Sequence, residues 1–290
     1  MTNLQLFAAC VAIWGSTWIA ITFQLGPVAP EASVFYRFLL ASALLFGWCL
    51  ARGLPLRFTR RQHLWIAFQG TLMFSVSYVA VYYAEQYVVS GLVAVGYSAS
   101  PLLNMIGMRI LFGTPMTLRV GAGAVLGLAG ITLVFWPEFS HLRADGKAAL
   151  GAAFTVAAVV LSAASNMVAH RNQDAGVPVW QSMAWGMLYG ALFTLAIVLA
   201  LGRPLGFAAT PAYVGSLLYL AVFGSILAFG GFLTLLGRVG PARAGYIGVM
   251  VPIVALAISS AFEGYRWELL ALAGVAVSVA GNVLILRRPA

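Results

Sequence analysis

Charge is what this chain has least of. Of its 290 residues only 8% are Asp, Glu, Lys or Arg, and only seven are acidic, against a hydrophobic share of 62%. A water-soluble domain carries about a quarter charged residues, so most of this protein's surface faces a solvent other than water. Histidine is nearly as scarce. His63, His141 and His170 all lie at loops or helix ends, and no His/Asp/Glu cluster has metal-ligand spacing. The two cysteines, Cys10 and Cys49, sit inside apolar runs and read as small buried hydrophobes. Long polar stretches are missing too. Ten passes of about 20 apolar residues each use up the length, so no room is expected for an extramembrane, sensory or catalytic domain.

What is there is apolar and basic. Mean hydropathy is +0.96 and the net charge +9, but the arginines are scattered over helix ends with no continuous patch, which argues for membrane topology and against nucleic acid. The first apolar run has no basic leader and no cleavage site, so it is expected to stay as the first helix. Apolar runs bounded by glycine and proline predict ten membrane helices, at about 4–24, 30–50, 64–85, 89–111, 118–136, 147–170, 178–201, 211–235, 241–262 and 267–286. With the N-terminus in the cytoplasm, eleven basic residues fall in inside loops and four (Arg143, Lys147, Arg203, Arg266) outside. That bias puts both termini in the cytoplasm. Pro137, expected to end the fifth helix, opens a polar connection over 137–147. It separates a first five-helix unit (1–136) from a second (148–290). An odd helix count per unit makes the two units inverted relative to each other.

The two units echo each other. At an offset of 151 residues Pro101 falls on Pro252, Gly113 on Gly264, and Gly123, Ala129 and Gly130 on Gly274, Ala280 and Gly281; Pro30 matches Pro178 at a nearby offset. With Trp14-Gly15-Ser16, Pro30-Glu31-Ala32 leading to Arg37-Phe38, Ser90-Gly91, Leu111-Phe112-Gly113 and a glycine-rich fifth helix (Gly121, Gly123, Gly127, Gly130), each unit resembles the EamA-type half of the drug/metabolite transporter superfamily. Two departures stand out: Thr114 occupies a place where that family often has a glutamate, and Glu263 precedes its glycine. The resemblance implies an all-α integral membrane protein of ten transmembrane helices in two inverted repeats. It also implies an inner-membrane permease, similar to the aromatic amino-acid exporters.

Several residues are candidates for the transport path. Thr71, Ser75, Tyr78, Tyr82 and Glu85 share one face of the third helix by their spacing. Such a stripe either bonds neighbouring helices or lines a cavity, because lipid supplies no partners. Tyr97, Ser100 and Asn104 repeat the pattern on the fourth helix. Trp14, Thr17 and Trp18 on the first, Ser162 and Asn166 on the sixth, and Tyr246 on the ninth, ahead of Pro252, complete the set. Pro101 and Pro252 would free the carbonyls of Tyr97 and Gly248, either as tolerated kinks or as paired gating hinges. Arg37, the one basic residue well inside a helix, is open to three readings: snorkelling, pairing with a glutamate, or attracting an anion. The carboxylates fall near helix ends, so no proton or sodium site is evident. The small-residue faces of the fifth and tenth helices are expected to pack within their own halves, with a homodimer as the other use.

An inverted-repeat permease for small metabolites is the leading function, with no cofactor and no metal. Its partners are then a small-molecule substrate and the bilayer, with no nucleic acid and most simply a monomer. Gly96-Tyr97-Ser98-Ala99 resembles the serine motif of intramembrane proteases faintly, but a nucleophilic serine needs a nearby base, and the three histidines lie elsewhere. Hydroxyls, amides, carbonyls and rings with little charge suit a zwitterion, most simply an amino acid, aromatic ones included. Export of hydrophobic cations is the alternative, and it would want an embedded carboxylate.

Overall fold

A computed structural model describes residues 1–26, 28–115, 118–141, 147–245, 247–265 and 267–286. All regular structure among the described residues is helical, the form that satisfies every backbone group within one segment inside hydrocarbon. Ten helices cross the molecule: α1 (Asn3–Thr22), α2 (Pro30–Ala51), α3 (Arg60–Ala84), α4 (Ser90–Phe112), α5 (Leu118–His141), α6 (Lys147–Asp174), α7 (Val179–Ala200), α8 (Pro211–Val239), α9 (Ile247–Phe262, after a single turn at Pro241–Ala244) and α10 (Leu269–Leu286). Seven are long and apolar enough to span a bilayer outright. The apolar stretches of the other three, Gly121–Val134, Ile247–Phe262 and Leu269–Gly281, are shorter.

Helix ends follow local chemistry. Thr2 and Thr59 each form a capping box with the glutamine three residues on, Gln5 and Gln62, and Pro30 and Pro211 occupy the first helical turn. The repeat-matched glycines Gly113 and Gly264 both stop their helices in left-handed conformation, with φ of 69° and 71°. Contrary to the expectation that Pro137 ends the fifth helix, α5 runs on through it to His141. A proline deletes one backbone bond and bends a helix without having to terminate it. Residues 142–146 of the expected connection lie outside the described residues.

Packing follows the two-fold relation between the halves. α2 lies along α7, α5 along α10, and the first part of α4 along α9, each helix against its own counterpart. Likewise α1 against α9 is matched by α6 against α4, and α1 against α8 by α6 against α3. This corrects the expected place of the small residues on α5 and α10, which meet each other across the halves. A Cβ on Gly130 would fall 2.4 Å from the Ser278 nitrogen and 2.5 Å from the Gly274 carbonyl, and one on Gly281 would fall 2.6 Å from the Gly123 carbonyl. Two backbones this close require glycine. Spacing alone shows that such a face exists, not which helix answers it.

Three helices depart from regular α geometry. α3 contains a π segment at Leu72–Val76 and its counterpart α8 contains one at Leu220–Leu227, while α4 tightens into a 3-10 turn at Tyr97–Ala99. Large hydrophobics such as Leu126, Leu128, Leu192 and Phe193 remain exposed on the outside of the bundle, as a lipid-facing surface requires.

Candidate functional site

The helices surround a central cavity that is partly open to the exterior. Its wall gathers Trp14, Thr17, Tyr78, Tyr97, Ser100, Asn104, Ser162 and Asn166 of the candidates singled out in the sequence. Tyr82 stands apart from that wall. It is 0% exposed and its hydroxyl donates to Gln24 Oε1 at 2.7 Å, beyond the end of α1. Tyr246 lies outside the described residues.

The α3 stripe therefore divides. Ser75, inside the π segment, shares a hydrogen bond of 2.7 Å with Thr194 of α7; Tyr78 faces the cavity; Tyr82 turns to Gln24. The π turn, wider than an α turn, shifts Ser75 relative to Tyr78; Tyr78 and Tyr82 lie one turn apart in the α segment Ser77–Ala84 and part because Tyr82 reaches Gln24 beyond the cavity wall. Both uses that the spacing allowed are realised, at different residues.

The rings form a wall of edge-to-face and tilted contacts. Trp14 meets Phe229 at 5.0 Å and Phe232 at 5.3 Å, and Trp18 meets Tyr97 at 5.3 Å. The Trp14 indole N–H donates to the Gly224 carbonyl at 3.2 Å, within the π segment of α8. Thr17, 5% exposed, returns its hydroxyl to the Trp14 carbonyl at 3.0 Å, so it shapes the wall more than it offers a free polar group. Elsewhere in the wall the Asn166 amide donates to Asn104 Oδ1 at 3.2 Å, linking α6 to α4.

Arg37 is the cavity residue whose setting the sequence left open. It is 1% exposed, it lines the cavity, and no carboxylate of a described residue lies within ion-pair distance of it. It neither snorkels nor pairs with a glutamate. Its Nε donates to Ser225 Oγ at 3.0 Å, and its guanidinium lies 4.5 Å from the Tyr78 ring centre. The π segment of α8 builds this seat. Ser225 Oγ reaches back five residues to the Leu220 carbonyl while accepting from Arg37, and a Cβ at Gly224 would stand 3.2 Å from an Arg37 nitrogen. An isolated arginine in an apolar run was the only signal, and it did not specify the seat. Phe229 and Phe232 were missed because a phenylalanine pair at helical spacing also describes ordinary core.

The paired prolines need a correction. The Tyr97 carbonyl is not freed by Pro101: it accepts the Ser100 N–H in the 3-10 turn, and a Cβ on Gly248 would sit 2.9 Å from it. A tightened turn recovers the bond that proline deletes. The positions four before each proline thus meet where α4 crosses α9. Pro252 lies inside a continuous α9.

Toward the face where α1 ends, polar groups are closed off from the cavity. Tyr83 hydrogen-bonds Glu31 closely. Glu263 accepts from the Ser90 N–H at 3.2 Å and from the hydroxyls of Ser90 and Ser259, so the unusual acid of the second half caps α4 in the first. Glu85, 8% exposed, has no hydrogen-bond partner for either carboxyl oxygen, and it feels Arg37 and Glu263 without pairing with either. A buried polar group left unsatisfied costs about 1–3 kcal/mol, more if charged.

Comparison with known proteins agrees with this architecture. The profile of the EamA-like transporter family matches twice, over residues 2–136 and 149–287. A protein of Escherichia coli K12 named as the uncharacterized inner membrane transporter YedA is 30% identical over 97% of this chain and 90% of its own. Protein PecM of Dickeya dadantii is 28% identical over 90% of this chain and 84% of its own. A solved crystal structure only 18% identical superposes with a TM-score of 0.74 over 98% of this chain and 96% of that one, which speaks for the fold. With two family matches spanning nearly the whole chain and a relative at that identity, this multi-pass inner-membrane protein belongs to the EamA-like transporter family.

Proposed function

We propose that this transporter exports small neutral metabolites, amino acids with aromatic side chains foremost, by alternating access across the inner membrane. The observation that carries the reading is the mixed cavity wall, which joins the rings of Trp14, Phe229 and Phe232 to polar groups that include Arg37 and the Asn104–Asn166 amide pair. A zwitterion with an apolar side chain has the same two parts. Export of hydrophobic cations fits less well, because the charged group in the wall is cationic and the buried carboxylate Glu85 is not part of it.

The reading includes a topology, with both termini cytoplasmic and the 137–147 connection outside, and a division into units 1–136 and 148–290. The crossing of α4 and α9 at Tyr97 and Gly248, next to Pro101 and Pro252, is the proposed gating point. The test is counterflow of labelled phenylalanine into liposomes holding the purified protein, with leucine, glucose and a tetraphenylphosphonium salt as competitors. Competition by leucine but not by glucose supports the reading. Competition by the phosphonium alone overturns it.

A further inference from the structure

The cavity wall contains three buried N–H donors that meet no acceptor within the protein: Nη1 of Arg37, Nε1 of Trp18 and Nδ2 of Asn104. They come from α2, α1 and α4, and the side chains of Arg37 and Asn104 are 1% and 0% exposed. Three of the acceptors around them are engaged. Asn104 Oδ1 takes the Asn166 amide, the Tyr97 carbonyl takes Ser100, and Ser225 Oγ takes Arg37 Nε. The buried carboxylate oxygens without a partner among the described residues, Glu31 Oε2 and the two of Glu85, belong to no part of the wall.

From this imbalance we infer that the carboxylate is the recognised pole of the substrate and that an ammonium group is dispensable. The substrate class is then small aryl and alkyl carboxylates, with amino acids as one subset. The inference rests on the transport reading above and narrows it. A carboxylate offers about four lone-pair sites and no donor, so it answers Arg37 Nη1 and has sites left for a second of these donors. The Ser225 bond fixes the guanidinium plane and leaves Nη1 for the ligand, and Tyr78 beneath the plane holds it there. The apolar body of the ligand lies against Trp14, Phe229 and Phe232. An amine without a carboxylate leaves the donors unmet and brings a like charge toward Arg37, which disfavours it twice over.

The experiment is a matched ligand series on the full-length purified protein, read by tryptophan-fluorescence binding in detergent and by competition in liposomes. Phenylalanine has both charged groups, 3-phenylpropionate only the carboxylate, and phenethylamine only the ammonium. The first two should bind alike, with phenethylamine at least about tenfold weaker. In Arg37→Gln the two carboxylates should lose about tenfold or more while phenethylamine is unchanged or improved; Arg37→Lys should retain part of the preference. The wild-type series stands alone if a variant fails to fold. Phenethylamine binding as tightly as phenylalanine, or a carboxylate preference undiminished in Arg37→Gln, overturns the inference while leaving the transporter reading intact. Binding of 3-phenylpropionate without phenylalanine upholds the carboxylate site and overturns the amino-acid reading. Binding of none of the three overturns both.

Discussion

The contact between α5 and α10 makes a sharp prediction, because one glycine of the ridge is indispensable and its neighbour is not. In Gly130→Ala the new methyl would arrive 2.4 Å from the Ser278 nitrogen, whereas ordinary contact begins at 3.4 Å. The two backbones must therefore part by about 1 Å, and neither is the flexible end of a side chain. Overpacking of this kind costs about 1–3 kcal/mol. Gly127, one turn earlier, has nothing within 4 Å of its missing Cβ, and alanine there gains about 0.5–1 kcal/mol of helix preference. Thermal unfolding of each purified variant in one detergent, followed by size-exclusion fluorescence, separates the two. Gly130→Ala should melt lower by roughly 3–10 °C and Gly127→Ala at or above wild type. Equal melting temperatures for wild type and Gly130→Ala, or an equal fall in both variants, would refute the packing of the fifth helix against the tenth.

Tyr78→Ala should slow transport of aromatic substrates by removing a cavity ring of about 1–3 kcal/mol with the fold intact. Tyr82→Ala should instead lower the melting temperature, because it strands Gln24, and a Tyr78→Ala variant transporting at the wild-type rate would count against the cavity assignment. Pro101→Ala and Pro252→Ala should each slow liposome exchange more than they weaken binding, since they stiffen the crossing at Tyr97 and Gly248 without touching the donors; unchanged turnover in both would remove the gating role. A cysteine placed at Ser140 should react with an impermeant maleimide in intact cells, the native Cys10 and Cys49 being buried and silent, and labelling only after permeabilisation would reverse the topology.

How much the sequence revealed depended on whether a feature is local. The helices were legible because twenty apolar residues between glycines and prolines have one physical outcome in a membrane. The repeat was legible at Pro101 and Pro252 or Gly113 and Gly264, where backbone geometry restricts the residue. The cavity wall on α1, α4 and α6 could be anticipated from polar residues at helical spacing, since lipid offers them nothing. Ser75 could not be separated from Tyr78, because a π turn has no compositional mark and alters the phase of everything beyond it; Tyr82, one regular turn past Tyr78, carried no sign of its partner Gln24. Arg37 kept three readings open until Ser225, far away in the chain, came into view. The α5–α10 contact was hidden for the same reason: a glycine face advertises close approach without naming its partner.

The π segments give the chain an unusual sensitivity to length. Each holds more residues per turn than an α-helix, as if one residue had been inserted into an otherwise regular span. Removing one residue from Leu220–Leu227 would let α8 relax to a uniform helix, and each position beyond it would turn by about 100° relative to those before. Ser225, Phe229 and Phe232 could then no longer all face Arg37 and Trp14 as they do now. At this place a single-codon deletion is a larger lesion than any substitution, and relatives that lack the extra residue are expected to bring a different set of side chains to the same cavity.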